Sequence, residues 1–291
     1  MTALESIVQG IIQGLTEFLP VSSSGHISLY QHFTGNSGEG ALLFSAVLHL
    51  GTLVAVFIAF RTTIWALIKE MFSLIGDVFT GKFKWKGMNP ERRMILMLII
   101  SLLMLIPFYI FKDYFEKVAE DSDIIIEGIC FLYTSLILFM SDRCVKGSKN
   151  YGDVTVKNAV TVGVFQGIAL LPGVSRSGST ISSGLFCGFK RETAVQYSFI
   201  LGIPAILGGC LLQIKDAAEQ NMMTFEPVNF ILGFIVSAVV GICAIKMVNW
   251  LVKSDKFKIF AIYTLILGIA VIGIGIFENI SGMSITEYIK G

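Results

Sequence analysis

Charge is what this 291-residue chain has least of: Asp, Glu, Lys and Arg make up 15% of it, against about 25% in a typical soluble domain. So little charge cannot cover the whole molecule with a polar surface, and a mean hydropathy of +0.75 points the same way. No excess of one sign exists either. The formal net charge is +1, with the charges gathered in short loops, so nucleic acid is not an expected partner. Five cysteines, at 130, 144, 187, 210 and 243, show no paired spacing. That excludes a disulfide framework and a cysteine metal site and leaves small core residues. The N-terminus lacks the basic stretch of a signal peptide and carries Glu5 instead, so it is expected to be retained.

Long apolar runs are present. Runs of about 18 residues are the sign of a membrane-spanning helix, and six occur: Leu42–Phe60, Met94–Phe111, Ile124–Ser141, Ala194–Ile214, Asn229–Val252 and Ile259–Phe277. Hydrocarbon offers backbone groups no partner, so the expected fold is all-α, an integral membrane helical bundle forming one structural domain.

A repeat organises the chain. Laying residues 10–48 over 163–201 without a gap gives thirteen identities, among them Gln13/Gln166, Ser22/Ser175, Ser24/Ser177, Gly25/Gly178 and Glu39/Glu192. Gln, Glu and a Ser-x-Ser-Gly run are not generic membrane residues, and this predicts a duplication with halves 1–150 and 151–291. Lys and Arg in short loops stay on the cytoplasmic side. That places 61–93, 143–157 and Lys253–Lys258 inside, and the acidic stretches 112–123 and 215–226 outside. Three full spans per half is an odd number, so the second half is expected upside down relative to the first, an inverted-topology repeat. Residues 1–41 and 154–193 then begin and end on one side. Pro20 and Gly25 break the first, Pro172, Gly173 and Gly178 the second, and each reads as a re-entrant helical hairpin. Non-helical backbone at membrane depth needs protein or water around it. A polar pocket where the two tips meet is the implication.

The side chains in these stretches suit phosphate chemistry. Gln13 and Glu17 are four apart, on one helix face, and a carboxylate in a membrane segment is a functional candidate by default. Ser22, Ser23 and Ser24 precede His26. Hydroxyls and free amides at a helix start can receive an anion, although serine also caps helices for structural reasons. His26 can move a proton or attack phosphorus. In the second copy Arg176 stands where the first has Ser23, and its planar fork suits two phosphate oxygens. His49, within the first span, can orient another polar group. His32 is expected in an outer loop, and Lys82–Lys86 with Trp85 reads as an interfacial anchor.

Gln13-x3-Glu17, the Leu-Pro-Val-Ser-Ser-Ser-Gly-His26 that follows, and Pro172-Gly-x-Ser-Arg-Ser-x-x-Thr180 resemble the two signature motifs of the undecaprenyl-diphosphate phosphatase family of the bacitracin-resistance type. The resemblance covers essentially the whole chain. It implies a hydrolase at the outer face of the bacterial plasma membrane. There it would convert undecaprenyl diphosphate to the monophosphate and inorganic phosphate, recycling the carrier for peptidoglycan synthesis. It implies membrane lipid as surroundings and leaves a homodimer open. It also implies a divalent cation, Mg²⁺ or Ca²⁺, with Glu17 as ligand, although Gln13 stands where many members carry a first Glu. The roles carried over are Arg176 as diphosphate clamp and Glu17 as metal ligand or partner of His26. His26, Ser22 or Ser23 would supply or activate the nucleophile. Gln13, Ser24, Ser175, Ser177 and Thr180 would bind phosphate. Two rivals stand beside this reading. The type 2 phosphatidic-acid phosphatases share a Ser-Gly-His element, but no Arg here precedes Pro. Transporters and flippases share inverted repeats with broken helices.

Overall fold

The computed structural model describes residues 2–35, 41–111, 124–219, 226–254 and 256–285. Among them the α-helices are α1 (Ala3–Thr16), α2 (Ser23–Thr34), α3 (Ala41–Ala59), α4 (Arg61–Phe79), α5 (Pro90–Leu103), α6 (Leu105–Ile110), α7 (Ile125–Asp142), α8 (Val156–Ile168), α9 (Arg176–Phe186), α10 (Arg191–Glu219), α11 (Pro227–Lys253) and α12 (Lys258–Ser281). Six stretches are long and apolar enough to cross a membrane: α3, α5 with α6, α7, α10, α11 and α12. All six of the expected spans fall in them. This is a multi-pass helical membrane protein. The acidic stretch 112–123, residues 36–40 and residues 220–225 of the other outer loop lie outside the described residues.

Local signals set the helix starts. Thr2 and Glu5 form a capping box at α1, and Thr155 and Asn158, 153 positions later, form one at α8. Pro90 and Pro227 open α5 and α11 at the position where a missing N–H costs nothing. The same offset, to within a residue, relates the breaks: α1 stops at Thr16 and α2 starts at Ser23, while α8 stops at Ile168 and α9 starts at Arg176.

Packing puts α9 at the centre, against α7, α8 and α10, with Ser177 through Leu185 all buried. Helices α1 and α3 lie on α11, and α7 lies on α12. The α3–α11 approach is tight enough that a Cβ at Gly51 would meet the Ser237 hydroxyl at 2.1 Å and the Phe234 carbonyl at 2.5 Å. Small residues permit such close helix contact in lipid.

Two expectations change. His32 lies in the last turn of α2, not in a loop, with Nε2 2.9 Å from Glu278 on α12; the helix runs on until Gly35, whose φ of 69° ends it. The basic stretch 61–93, read as a loop, contains the 19-residue α4. Ile64, Leu67 and Leu74 give it a buried face, and Arg92 ties it to α5 through Glu70 and Asp77 at 2.6 and 2.7 Å.

Candidate active site

The two helix breaks are stitched to each other by equivalent side chains. Ser22 Oγ accepts from the Gly25 amide (3.2 Å) and Ser175 Oγ accepts from the Gly178 amide (3.1 Å), so each break ends in the same N-cap. Ser24 Oγ then accepts from the Gly173 amide at 3.2 Å, and its counterpart Ser177 donates to the Leu19 carbonyl at 3.2 Å. Each copy reaches into the other's break. Thr134 of α7 anchors the second break by accepting from the Ser175 amide (3.2 Å).

The starts of α2 and α9 face one cavity of about 210 Å³. Ser22, Ser23, Ser24, Ser175, Arg176 and Ser177 line it together with Glu17 and His49. Helix starts present amides without intrahelical partners and the positive end of the dipole. Two of them at one cavity, beside a guanidinium, make a receptor for an oxyanion.

Glu17 is 7% exposed and bonded on both oxygens. Arg176 Nη2 donates to Oε1. Gln13 Nε2 donates to Oε2 at 2.9 Å and Ser23 Oγ donates to the same oxygen at 2.8 Å. A buried carboxylate is costly unless its lone pairs are met, and here the partners come from both copies. His49 sends Nδ1–H to the Ser45 carbonyl at 2.8 Å, which aims Nε2 at Glu17 Oε2, 3.8 Å away and beyond hydrogen-bond reach.

Of the residues singled out in the sequence, Glu17, Ser22, Ser23, Ser24, Ser175, Arg176 and Ser177 line this cavity. Gln13 lines an adjoining one of about 680 Å³, which shares Ser24, His49 and Gln213 with the first. Thr180 and His26 stand behind the walls. The Thr180 hydroxyl lies 2.9 Å from the Arg176 carbonyl and 2.6 Å from Ser198 Oγ. His26 packs edge-on against Phe131 and stacks on Tyr263. Its Nδ1 is 2.7 Å from the Ser22 carbonyl, so in the neutral ring Nδ1 carries the proton and Nε2 accepts from Tyr263 Oη, also 2.7 Å away. Sequence reading missed Tyr263, Thr134 and Gln213. Each sits in an apolar span with no motif around it, and the only signal was the polarity itself.

These residues do not form a cage for Mg²⁺ or Ca²⁺. Such ions take six or more oxygen ligands, while Glu17 is the sole motif carboxylate, has donors on both oxygens and sits against a guanidinium. Among the described residues no group of three or more His, Cys, Asp or Glu could hold a metal.

Fold and cavity define the class first: a multi-pass helical membrane protein with an oxyanion receptor assembled from two broken helix pairs. The chain belongs to the BacA family, described as bacitracin resistance protein BacA, whose sequence model matches residues 6–270. It is similar to an undecaprenyl-diphosphatase of Alkaliphilus metalliredigens, 38% identical over 94% of this chain and 98% of that one. An undecaprenyl-diphosphatase of Carboxydothermus hydrogenoformans is also 38% identical, over 94% and 97% of the two chains. One from Methanosphaera stadtmanae is 39% identical, over 92% and 96%.

Proposed function

We propose that this chain hydrolyses undecaprenyl diphosphate to undecaprenyl phosphate and inorganic phosphate, recycling the lipid carrier of cell-wall synthesis and conferring bacitracin resistance. The observation that carries the chemistry is the convergence of two helix starts, Arg176 and a Glu17-bonded serine on one cavity. The relatives' names supply the substrate.

In this reading the terminal phosphate enters against the amides that open α2 and α9, with Ser24, Ser175 and Ser177 beside it. Arg176 turns its fork from Glu17 to the phosphate oxygens, which frees the carboxylate. Ser23 Oγ, already donating to Glu17, attacks the terminal phosphorus; its proton passes to Glu17, which hands it to the bridging oxygen of the departing prenyl monophosphate and is a carboxylate again. Water then attacks the phosphoserine and gives a proton to Glu17. The carboxyl returns a proton to Ser23 Oγ as inorganic phosphate departs. Phosphoryl transfer of this kind rests mostly on positioning and charge stabilisation. A divalent cation, were one bound, would have to come with the substrate and would supply charge neutralisation there; no step above runs through it. We further read α1/α2 and α8/α9 as re-entrant hairpins of inverted halves 1–150 and 151–291 that enter from opposite faces, with the active-site cavity between their tips accessible from the outer face of the plasma membrane.

Purified protein in detergent supplies the test, with phosphate release from a polyprenyl diphosphate as the readout. Ser23→Ala is expected to lower kcat by about 10³-fold or more, as loss of a nucleophile does, and Arg176→Lys by about 10²-fold, as loss of an oriented donor pair does. Acid-quenched turnover should leave phosphate on the peptide carrying Ser23. Wild type that moves the lipid across vesicles without releasing phosphate would make the protein a flippase. Full activity in Ser23→Ala would remove the serine from the mechanism.

A further inference from the structure

The far end of α9 carries a second polar cavity whose lining residues are all different from those of the active-site cavities. It is about 510 Å³ and is lined by Lys146, Gly147, Lys190, Arg191, Glu192 and Lys253. Four cationic side chains thus face one lining carboxylate. Lys253 Nζ lies 3.1 Å from Glu192. Arg191 Nη1 lies 3.9 Å from Asp142, a further acid on α7.

The frame around the cations is fixed. Residues 149 and 189 form a parallel bridge, with the Lys149 amide donating to the Gly188 carbonyl (3.1 Å) and the Lys190 amide donating to the Lys149 carbonyl (2.9 Å). Lys149 Nζ closes the joint by donating to the Cys187 carbonyl at 2.8 Å. Two connecting segments, after α7 and after α9, are therefore joined where Lys146 and Lys190 project. An interfacial pair of side chains stands beside the cavity. Trp250, one turn before Lys253 on α11, is 57% exposed, and the Lys256 ammonium sits 5.2 Å from its ring. Exposed Trp beside Lys at the end of an apolar span marks the interface of a membrane. Basic pockets between spans at that level receive anionic headgroups.

We infer that this cavity binds the phosphate of an anionic phospholipid headgroup, held by Lys190, Arg191 and Lys253 at the junction of α9 with α10. The phosphate competes with Glu192 for Lys253; that surface pair is weakly held, because both partners are more than half exposed. A bound lipid clamps the end of the helix whose other end carries Arg176.

Native mass spectrometry of the full-length protein, delipidated in detergent and given phosphatidylglycerol or phosphatidylcholine, reads this out. Wild type is expected to retain one phosphatidylglycerol with about tenfold preference or more. The Lys190→Gln/Lys253→Gln double variant, which leaves both active-site cavities intact, should fall to the phosphatidylcholine level. Inorganic phosphate serves as a separate arm by thermal shift, scored as the part of the shift that the double variant loses. Equal retention of the two lipids overturns the inference, as does undiminished phosphatidylglycerol on a double variant with wild-type Tm. A variant-sensitive shift from inorganic phosphate without a retained lipid assigns the cavity to soluble phosphate and overturns the lipid.

Discussion

Ser22 has φ of 74°, and among the described residues it is the only one besides glycine with positive φ. An L-residue in so sparsely populated a region costs about 1–3 kcal/mol, so something must hold it, and the hold is visible. The Ser22 carbonyl receives His26 Nδ1–H at 2.7 Å, while Tyr263 fixes the other ring nitrogen. This geometry would let His26 act through Ser22, by holding the backbone that precedes Ser23. If so, Asn at 26, whose amide can replace Nδ1–H, should keep a measurable part of the activity, whereas Ala should lose about 10²-fold through misplacement. Kinetics of His26→Asn and His26→Ala decide between positioning and proton transfer, because an acid–base role would leave both variants equally dead. The sequence made Glu17, the serines and Arg176 legible, since polar side chains between apolar runs announce themselves. It could not show which way His26 turns. That depends on Tyr263, 237 residues away, and on the ring of Phe131.

At the scale of elements, what was legible was a recurrence of local signals. Capping boxes, breaks and helix starts recur 153 positions apart. The repeat also predicts where the halves diverge. Glu17 has Leu170 as its counterpart, and Gln166, the copy of Gln13, is buried with neither amide atom hydrogen-bonded. One copy kept the acid and the other gained the arginine. Less legible was how α10 admits that arginine. A Cβ at Gly202 would stand 1.9 Å from Arg176 Nη1, so the guanidinium packs against a bare stretch of helix. Gly202→Ala should push the fork off Glu17 and off the phosphate. The flexible end of one side chain can yield, so stability should hardly change, while kcat/KM drops about 10²-fold, the usual consequence of a displacement near 1 Å. Thermal melting together with phosphate release checks both halves of that expectation. A large loss of Tm would mean that Gly202 serves packing, not the arginine.

At the scale of the whole molecule, hydropathy found all six long spans because their burial in lipid needs no partner. It missed α4, whose helix depends on tertiary contacts to α5 through Arg92. Which way the halves face is a matter of counting. From Lys86 to the C-terminus the chain passes through α5 with α6, α7, α10, α11 and α12, five crossings, plus the α8–break–α9 pair. If that pair enters and leaves on one side, as the inverted duplication requires, the total is odd and the two points lie on opposite faces. If the pair crosses once, the total is even and they share a face. Reporters placed after Lys86 and at Gly291 separate the cases, one expected inside and the other outside from the Lys and Arg bias. Two reporters on the same face would sink the re-entrant reading. The stitching of Ser24 to Gly173 and of Ser177 to Leu19 would then join one complete span to one hairpin, and the near-symmetry of those bonds would lose its explanation. Opposite faces leave the equivalent serines where an inverted repeat puts them, each closing the other copy's break around the phosphate.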